Sequence, residues 1–351
     1  MPNDVYYKTT ASEITSIADA IRAKGGTSAS LVYPSGFVSA ISAIPTGGGG
    51  SELTDFIEIN FGYSGSSTTY YNSYVTKIGR GKFAYQARLY SVEFPLCQQI
   101  YEYAFTNCSS LTYASFSLCS RVGDNAFYSC KSLSGLYMPS CSYIGSSAFY
   151  GNTALTEMSF SLVSYIGASA FYGAGLLNVS ASLISVISTH AFAGMKSCLT
   201  ANFISCKSLY SNGLWNCTKL QTVSFPSLES IGSAGFSSCH SLQYFDGPKV
   251  KYMYSDVFRL CSSLSYIKLS VFSGIIYSAA FSGCLNLLSL YLYGSSVVRL
   301  SNSNAFTSTP IAGFTTSTGG VLGSIYVPSS LLSAYQSSTN WTYFSSRFVG
   351  M

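Results

Sequence analysis

The chain has 351 residues, 48% of them hydrophobic, 15% aromatic and only 9% charged, with a formal net charge of +5. High hydrophobicity with few charges excludes intrinsic disorder, and so weak a basic excess gives no footprint for nucleic acid. Ser, Gly or Asn interrupts the apolar residues too often for a membrane-spanning helix, so no membrane insertion is expected.

The start, Met1-Pro2-Asn3-Asp4-Val5, has no basic region followed by an apolar core, and no secretory signal is expected from it. Thr10-Ala11-Ser12-Glu13 has the form of a capping box, and Ile14, Ile17, Ala18 and Ile21 follow at helical spacing before Gly25-Gly26. A second helix is predicted from Pro34 or Ser35, with Phe37, Val38, Ile41 and Ile44 on one face. Gly47 to Gly50 then make a flexible tether within a linker over 47–52. An apolar two-helix segment of about 45 residues cannot stabilise itself alone. Residues 1–46 are therefore expected to be an adaptor that packs on its own copies or on another protein. Its anchoring residues would be Ile14, Ile17, Ile21, Phe37, Val38 and Ile41; a plain N-terminal cap is the alternative. The stretch from Ile17 to Thr27, followed by Tyr33-Pro34-Ser35-Gly36-Phe37, resembles a short module of tail and virion-associated proteins from phages and prophages of Gram-positive bacteria. That resemblance implies attachment to a particle, with other virion proteins as partners.

Residues 53–310 are expected to form a repeat solenoid with its own N-terminal cap. Phe83, Phe105, Phe127, Phe149 and Phe171 recur every 22 residues, and the series continues through Phe192, Leu214, Phe236, Phe258, Phe281 and Phe306. Five residues earlier stands an apolar residue, as at Ile78, Ile100, Val122, Ile144 and Ile166, and six later a Leu, as at Leu89, Leu111, Leu133 and Leu155. Alternation after each Leu predicts a strand with one buried face. Gly79, Gly123, Gly145, Gly167 and Gly232, after the Ile column, are read as tight bends with positive φ. One such unit cannot enclose its own apolar residues, whereas stacked neighbours can. The predicted fold is mostly β, a solenoid of about eleven 22-residue units, with a short helical N-terminal segment and a C-terminal cap.

The run Leu155-Thr156-Glu157-Met158-Ser159-Phe160, then Tyr165-Ile166-Gly167-Ala168-Ser169-Ala170-Phe171, resembles the BspA-like leucine-rich repeat. So does Leu220 through Phe225-Pro226-Ser227-Leu228-Glu229-Ser230-Ile231-Gly232 to Cys239, and the resemblance extends over about residues 78–310. It implies a bacterial surface or secreted protein that binds partners, with no catalytic residue at the matched positions.

The cysteines fall into the same columns. Cys108, Cys130, Cys217, Cys239, Cys261 and Cys284 lie three residues after an anchor, Cys97, Cys119, Cys141 and Cys206 eight before one, and Cys198 in the Leu column. Gly151, Gly173 and Gly194, or Val163, Ile184 and Leu228, are read as their substitutes elsewhere. Such positions suit a small buried thiol. Disulfides are the rival reading, but side chains in parallel columns do not converge. Zinc lacks a Cys-x2-Cys pair, and the chain has only His190 and His240, so no metal is expected. Free buried thiols fit folding in a reducing compartment.

After Ile325-Tyr326-Val327-Pro328, read as a last strand, Trp341, Tyr343, Phe344 and Phe348 are expected to close the open end, within a cap over 311–351. No acid–base pair, calcium loop, phosphate loop or glycosidase dyad is found, so neither catalysis nor a cofactor is expected. Lys77, Arg80, Lys82 and Arg88 make a basic cluster, read as a solvated edge. What remains is the outward strand face, rich in Tyr, Ser, Gly and Asn as antibody binding loops are. Its candidate binding residues are Tyr113, Tyr137, Asn178, Asn202, Tyr244, Asp246, Tyr266, Lys268 and Tyr291. A second group, Tyr128, Tyr150 and Tyr172 with Tyr143 and Tyr165, falls near the turns. On both, tyrosine either binds a partner or supplies solubility and cross-strand packing. The expected role is a non-enzymatic phage-tail or fibre protein presenting the solenoid to a host-surface glycan or protein. The alternative is a bacterial surface adhesin of the same repeat type.

Overall fold

The computed structural model describes residues 69–72, 75–314 and 319–351. The expected adaptor, its anchoring residues Ile14, Ile17, Ile21, Phe37, Val38 and Ile41, and the tether lie outside them.

The unit beginning at Leu111 shows how the sequence builds one turn. Leu111 is buried, the strand Tyr113–Ser115 follows, and Phe116 and Cys119 return the chain to the core. A two-residue strand, Arg121–Val122, makes a second side, and a turn carrying the buried Ala126 and Phe127 makes the third. Both kinds of strand pair in parallel with the next unit: Tyr113 lies opposite Gly135, and Arg121 opposite Tyr143. No crossover helix is needed, because each turn of the solenoid is itself the connection. The third side is also a ladder: the Phe105 amide donates to the Ala126 carbonyl at 2.7 Å, and Phe127 to Ala148 at 2.8 Å. Peptides point along the axis there because left-handed residues sit two before and two after the anchor, as at Asn125 (φ 57°) and Ser129 (φ 55°). Asn, Ser, Asp and Gly recur at these places because they tolerate that conformation best.

All eleven anchors are buried. Phe105 and Phe127 stack with ring centroids 4.9 Å apart, and Phe127 and Phe149 at 5.3 Å, close to the roughly 4.8 Å step between parallel strands. A second ring column, with Phe94, Phe116, Phe160, Phe203 and Phe225, meets the first edge-on, as between Phe116 and Phe127 at 65°. Phe94 and Phe116, and again Phe203 and Phe225, are 22 residues apart, so this second column keeps the period of the first.

Four expectations are corrected. Gly123, Gly145, Gly167 and Gly232 do not have positive φ; each passes so close to the preceding turn that a Cβ would collide with its backbone. At Gly167 it would lie 2.5 Å from the Ser146 nitrogen. Gly151, Gly173 and Gly194 are not in the cysteine column but one place earlier, at φ 66–70°; the column itself continues through the buried Asn152, Ala174 and Met195. The chain carrying Glu157 and Ser159 forms no strand, and the long sheet is interrupted between Gly135–Tyr137 and Asn178–Ser180. This break adjoins the 21-residue step from Phe171 to Phe192. Ile325-Tyr326-Val327 is not the last strand, since Phe348–Gly350 pairs onto it.

The cap forms as expected in three of its four aromatics. Trp341, Phe344 and Phe348 are buried, while Tyr343 is 74% exposed. The Trp341 indole donates to the Val298 carbonyl at 2.6 Å, and the Val298 amide donates to the Tyr335 hydroxyl at 3.0 Å. The 3-10 turn Trp341–Arg347 brings Phe344 edge-on to Phe306, the last anchor, at 5.1 Å.

Candidate functional site on the strand faces

The longer strands form three sheets: Thr69–Tyr71 to Gly135–Tyr137, Asn178–Ser180 to Thr222–Ser224, and Tyr244–Gly247 to Phe348–Gly350. The nine predicted face residues fall into three corresponding groups. Tyr113 and Tyr137 project from the first sheet, with Ser115 between Glu93 and Tyr137 in register but buried. Alternation along the strand puts Ser115 on the outward side with Tyr113, yet its short side chain is buried beside Glu93 and Tyr137.

Asn178 and Asn202 belong to the second sheet, whose outward rows are small and polar. Asn178 pairs with Thr200, and Thr200 in turn with Thr222, while the Thr200 hydroxyl donates to the Asn178 Oδ1 at 2.7 Å. Asn202 is only half-exposed, and its Oδ1 is enclosed without a hydrogen bond.

Five predicted residues converge on the third sheet. Tyr244 lies opposite Tyr266, while Asp246, Lys268, Tyr291 and Tyr326 form one continuous row. Tyr291 and Tyr326 stack at 4.3 Å with planes 7° apart, and Tyr266 leans on Tyr291 at 5.1 Å. Tyr293 stacks on Tyr291 at 6.1 Å, with the Lys268 ammonium 5.6 Å from its ring centroid. Partial burial raises the Tyr291 phenol above its ordinary range, reinforced by Tyr326 and Tyr293, and Tyr266 is raised for like reasons. These hydroxyls stay protonated at neutral pH and donate. Tyr293 and Tyr326 were missed as site residues. The signal for Tyr326 is its strand, where alternation with the buried Ile325 and Val327 turns it outward.

The turn tyrosines form their own stacks. Tyr128, Tyr150 and Tyr172 lie 4.8 and 4.9 Å apart. Tyr143 and Tyr165 stack at 4.6 Å, with the Arg121 guanidinium 3.7 Å above Tyr143. They belong to the sheet of two-residue strands, on another side from the long-strand rows. In the basic cluster Arg80 lies over Tyr103 at 5.5 Å, and Arg80, Lys82 and Arg88 are exposed. Glu229 and Lys251 make an exposed ion pair at 2.9 Å, which holds the Glu229 carboxyl below its ordinary range. His190 and His240 both sit in turns, and His240 Nδ1 contacts the Leu260 carbonyl at 2.9 Å.

All eleven cysteines are buried thiols. The column after the anchor hydrogen-bonds backwards, Cys130 to the Phe105 carbonyl at 3.0 Å and Cys239 to that of Leu214 at 3.2 Å. Among the described residues no group of three or more His, Cys, Asp or Glu could hold a metal ion. No helix among them is long and apolar enough to cross a membrane.

The BspA type leucine-rich repeat region matches residues 76–200 and 201–319, more than half of the chain, and this repeat is a non-catalytic scaffold. No curated protein matches the chain. Solved structures give partial likenesses. A leucine-rich repeat protein of Bacteroides ovatus is 19% identical over 65% of this chain and 87% of its own, with a TM-score of 0.33. A leucine-rich cell surface protein of Faecalibacterium prausnitzii is 18% identical over 76% and 83%, with a TM-score of 0.39. The pneumococcal vaccine antigen PcpA is 13% identical over 81% and 88%, with a TM-score of 0.41. None of these matches points to a virion module. The phage-tail expectation thus rests only on residues 17–37, which lie outside both the repeat match and the described residues.

Proposed function

The chain belongs to the BspA-type leucine-rich repeat family, and from that premise we propose that it is a bacterial surface adhesin, binding a protein or glycan partner through its outward strand faces. The observation that carries this reading is the convergence of Tyr244, Asp246, Tyr266, Lys268 and Tyr291 on adjacent strands in register. Rigid tyrosines held by their neighbours give contact area at low entropy cost, and the small polar residues between them supply adaptable hydrogen bonds. The repeat supplies a stiff scaffold on which such rows stay aligned. A surface role also agrees with what the family resemblance of residues 78–310 implies.

Protease treatment of intact producing cells tests the location, and binding of the labelled full chain to whole cells tests the role. Cleavage before lysis together with saturable binding is expected. Protection of the chain until the cells are lysed, or the absence of saturable binding, would overturn the proposal.

A further inference from the structure

We propose that the tyrosine rows of the C-terminal five-stranded sheet bind a neutral, linear polysaccharide lying along the solenoid axis. This rests on the reading of the strand faces as the partner-binding surface, and adds the ligand class and its place. Charge is the first argument. On the strands from Tyr244 to Val327 the outward positions hold one acid, Asp246, and one base, Lys268, in register on neighbouring strands. The patch therefore has no net charge to attract an acidic or basic polymer, within a chain of net charge +5. The other outward residues are hydroxyl-bearing: Tyr244, Tyr266, Ser289, Tyr291, Ser324 and Tyr326.

The second argument is how the rings stand. Tyr291 and Tyr326 stack face to face at 4.3 Å, so their faces shield each other and a ligand meets ring edges and hydroxyls rather than open ring faces. A phenol hydroxyl both donates and accepts, which matches the hydroxyls of a carbohydrate. The third is repetition. The rows step by one parallel strand spacing, about 4.8 Å, from turn to turn. An elongated ligand lying along the axis can meet a hydroxyl-bearing residue on each of the four turns in succession. A protein partner would also need desolvated aromatic pockets ringed by polar residues; here the tyrosines project from a sheet.

Affinity electrophoresis of the full chain tests this, in gels containing soluble β-glucan, α-glucan or galactomannan, with polygalacturonate as the charged comparison. The double variant Tyr291→Phe, Tyr326→Phe keeps the stack and removes two hydroxyls. Tyr143→Phe, Tyr165→Phe makes the same change on the sheet of short strands. Retardation by at least one neutral polymer is expected, with affinity falling about tenfold in the first variant, as for two ordinary hydrogen bonds, and unchanged in the second. Equal retardation of parent and first variant, retardation by polygalacturonate only, or none by any neutral polymer would overturn the inference. Whole-cell binding separates the two levels. Binding that survives periodate oxidation of the cells but not their protease treatment would remove the polysaccharide and leave the adhesin reading. No cell binding at all would remove both.

Discussion

The Cys130 thiol donates a hydrogen bond to the Phe105 carbonyl at 3.0 Å, one turn back in the solenoid. The same bond recurs from Cys217 to Phe192, Cys261 to Phe236 and Cys284 to Phe258. The column thus serves two purposes, filling a small volume and engaging a buried carbonyl. Asn152 stands in that column, fully buried, with neither its Oδ1 nor its Nδ2 hydrogen-bonded. An unsatisfied buried polar group costs about 1–3 kcal/mol. Replacing Asn152→Cys should therefore raise stability by roughly 1–3 kcal/mol, its thiol reaching the Phe127 carbonyl. Urea unfolding of parent and variant measures it; a variant that unfolds at lower urea would mean that the amide is partnered.

The buried thiols also set an alkaline limit. Burial pushes Cys141 and Cys198 up to about 12 and Cys206 up to about 11, from an ordinary 9.0. The native state keeps these protons while the unfolded chain loses them above that ordinary value, so stability is full below it and falls as pH rises toward the native values. Each thiol costs about 1.4 kcal/mol per pH unit across that interval. Urea midpoints should hold from pH 7 to 8.5 and drop by pH 10. Cys141→Val with Cys206→Val, using the residue found at Val163 in the same column, should lessen the drop by the share of those two thiols, since other buried thiols such as Cys217, Cys239 and Cys261 are raised as well; an equally steep profile would show that these two do not contribute.

The repeat was legible because every inward column stacks on itself. Phe105 must tolerate Phe127 above it, so burial imposes a period that can be read off the chain. Outward positions carry no such constraint, and there the reading fails in definite places. Glu157 and Ser159 keep the spacing of a strand that does not form, beside a shortened step and the buried Asn152. Tyr326 joins Tyr291 across an offset of 35 residues, because the turn that carries Leu300 and Phe306 is longer than 22 residues. The nine face residues read as one surface in sequence and are divided among three hydrogen-bonded sheets.

The glycines of the Ile-Gly column should be more sensitive to substitution than the left-handed ones. At Gly167 a Cβ would lie 2.5 Å from the Ser146 nitrogen and 2.7 Å from the Gly145 carbonyl carbon, both backbone atoms. Gly167→Ala forces two turns apart, at an overpacking cost of about 1–3 kcal/mol. At Gly173 nothing lies within 4 Å of the added carbon, and only the positive φ opposes it, so Gly173→Ala should cost about 1 kcal/mol. Thermal midpoints of the two variants compare them directly. A larger loss at Gly173 would restore torsion, rather than close approach, as the reason for glycine in this fold.

The C-terminal cap should depend on one indole. Trp341 is buried, donates to the Val298 carbonyl at 2.6 Å, and packs on Phe306 at 5.9 Å. The Tyr335 hydroxyl accepts from the Val298 amide, so both polar groups of that residue are engaged by the cap. Trp341→Phe keeps an aromatic ring but leaves a buried carbonyl without its donor, at about 1–3 kcal/mol. Tyr343, two residues away and 74% exposed, should tolerate Ala within about 0.5 kcal/mol. Because terminal units shield the open end of a solenoid, the loss in Trp341→Phe should appear first as faster proteolysis beyond Leu300. The N-terminal turns, which share no contact with the cap, should keep their protection. Uniform acceleration along the chain would show that the solenoid unfolds as one cooperative body, with the cap contributing to its global stability rather than to its end alone.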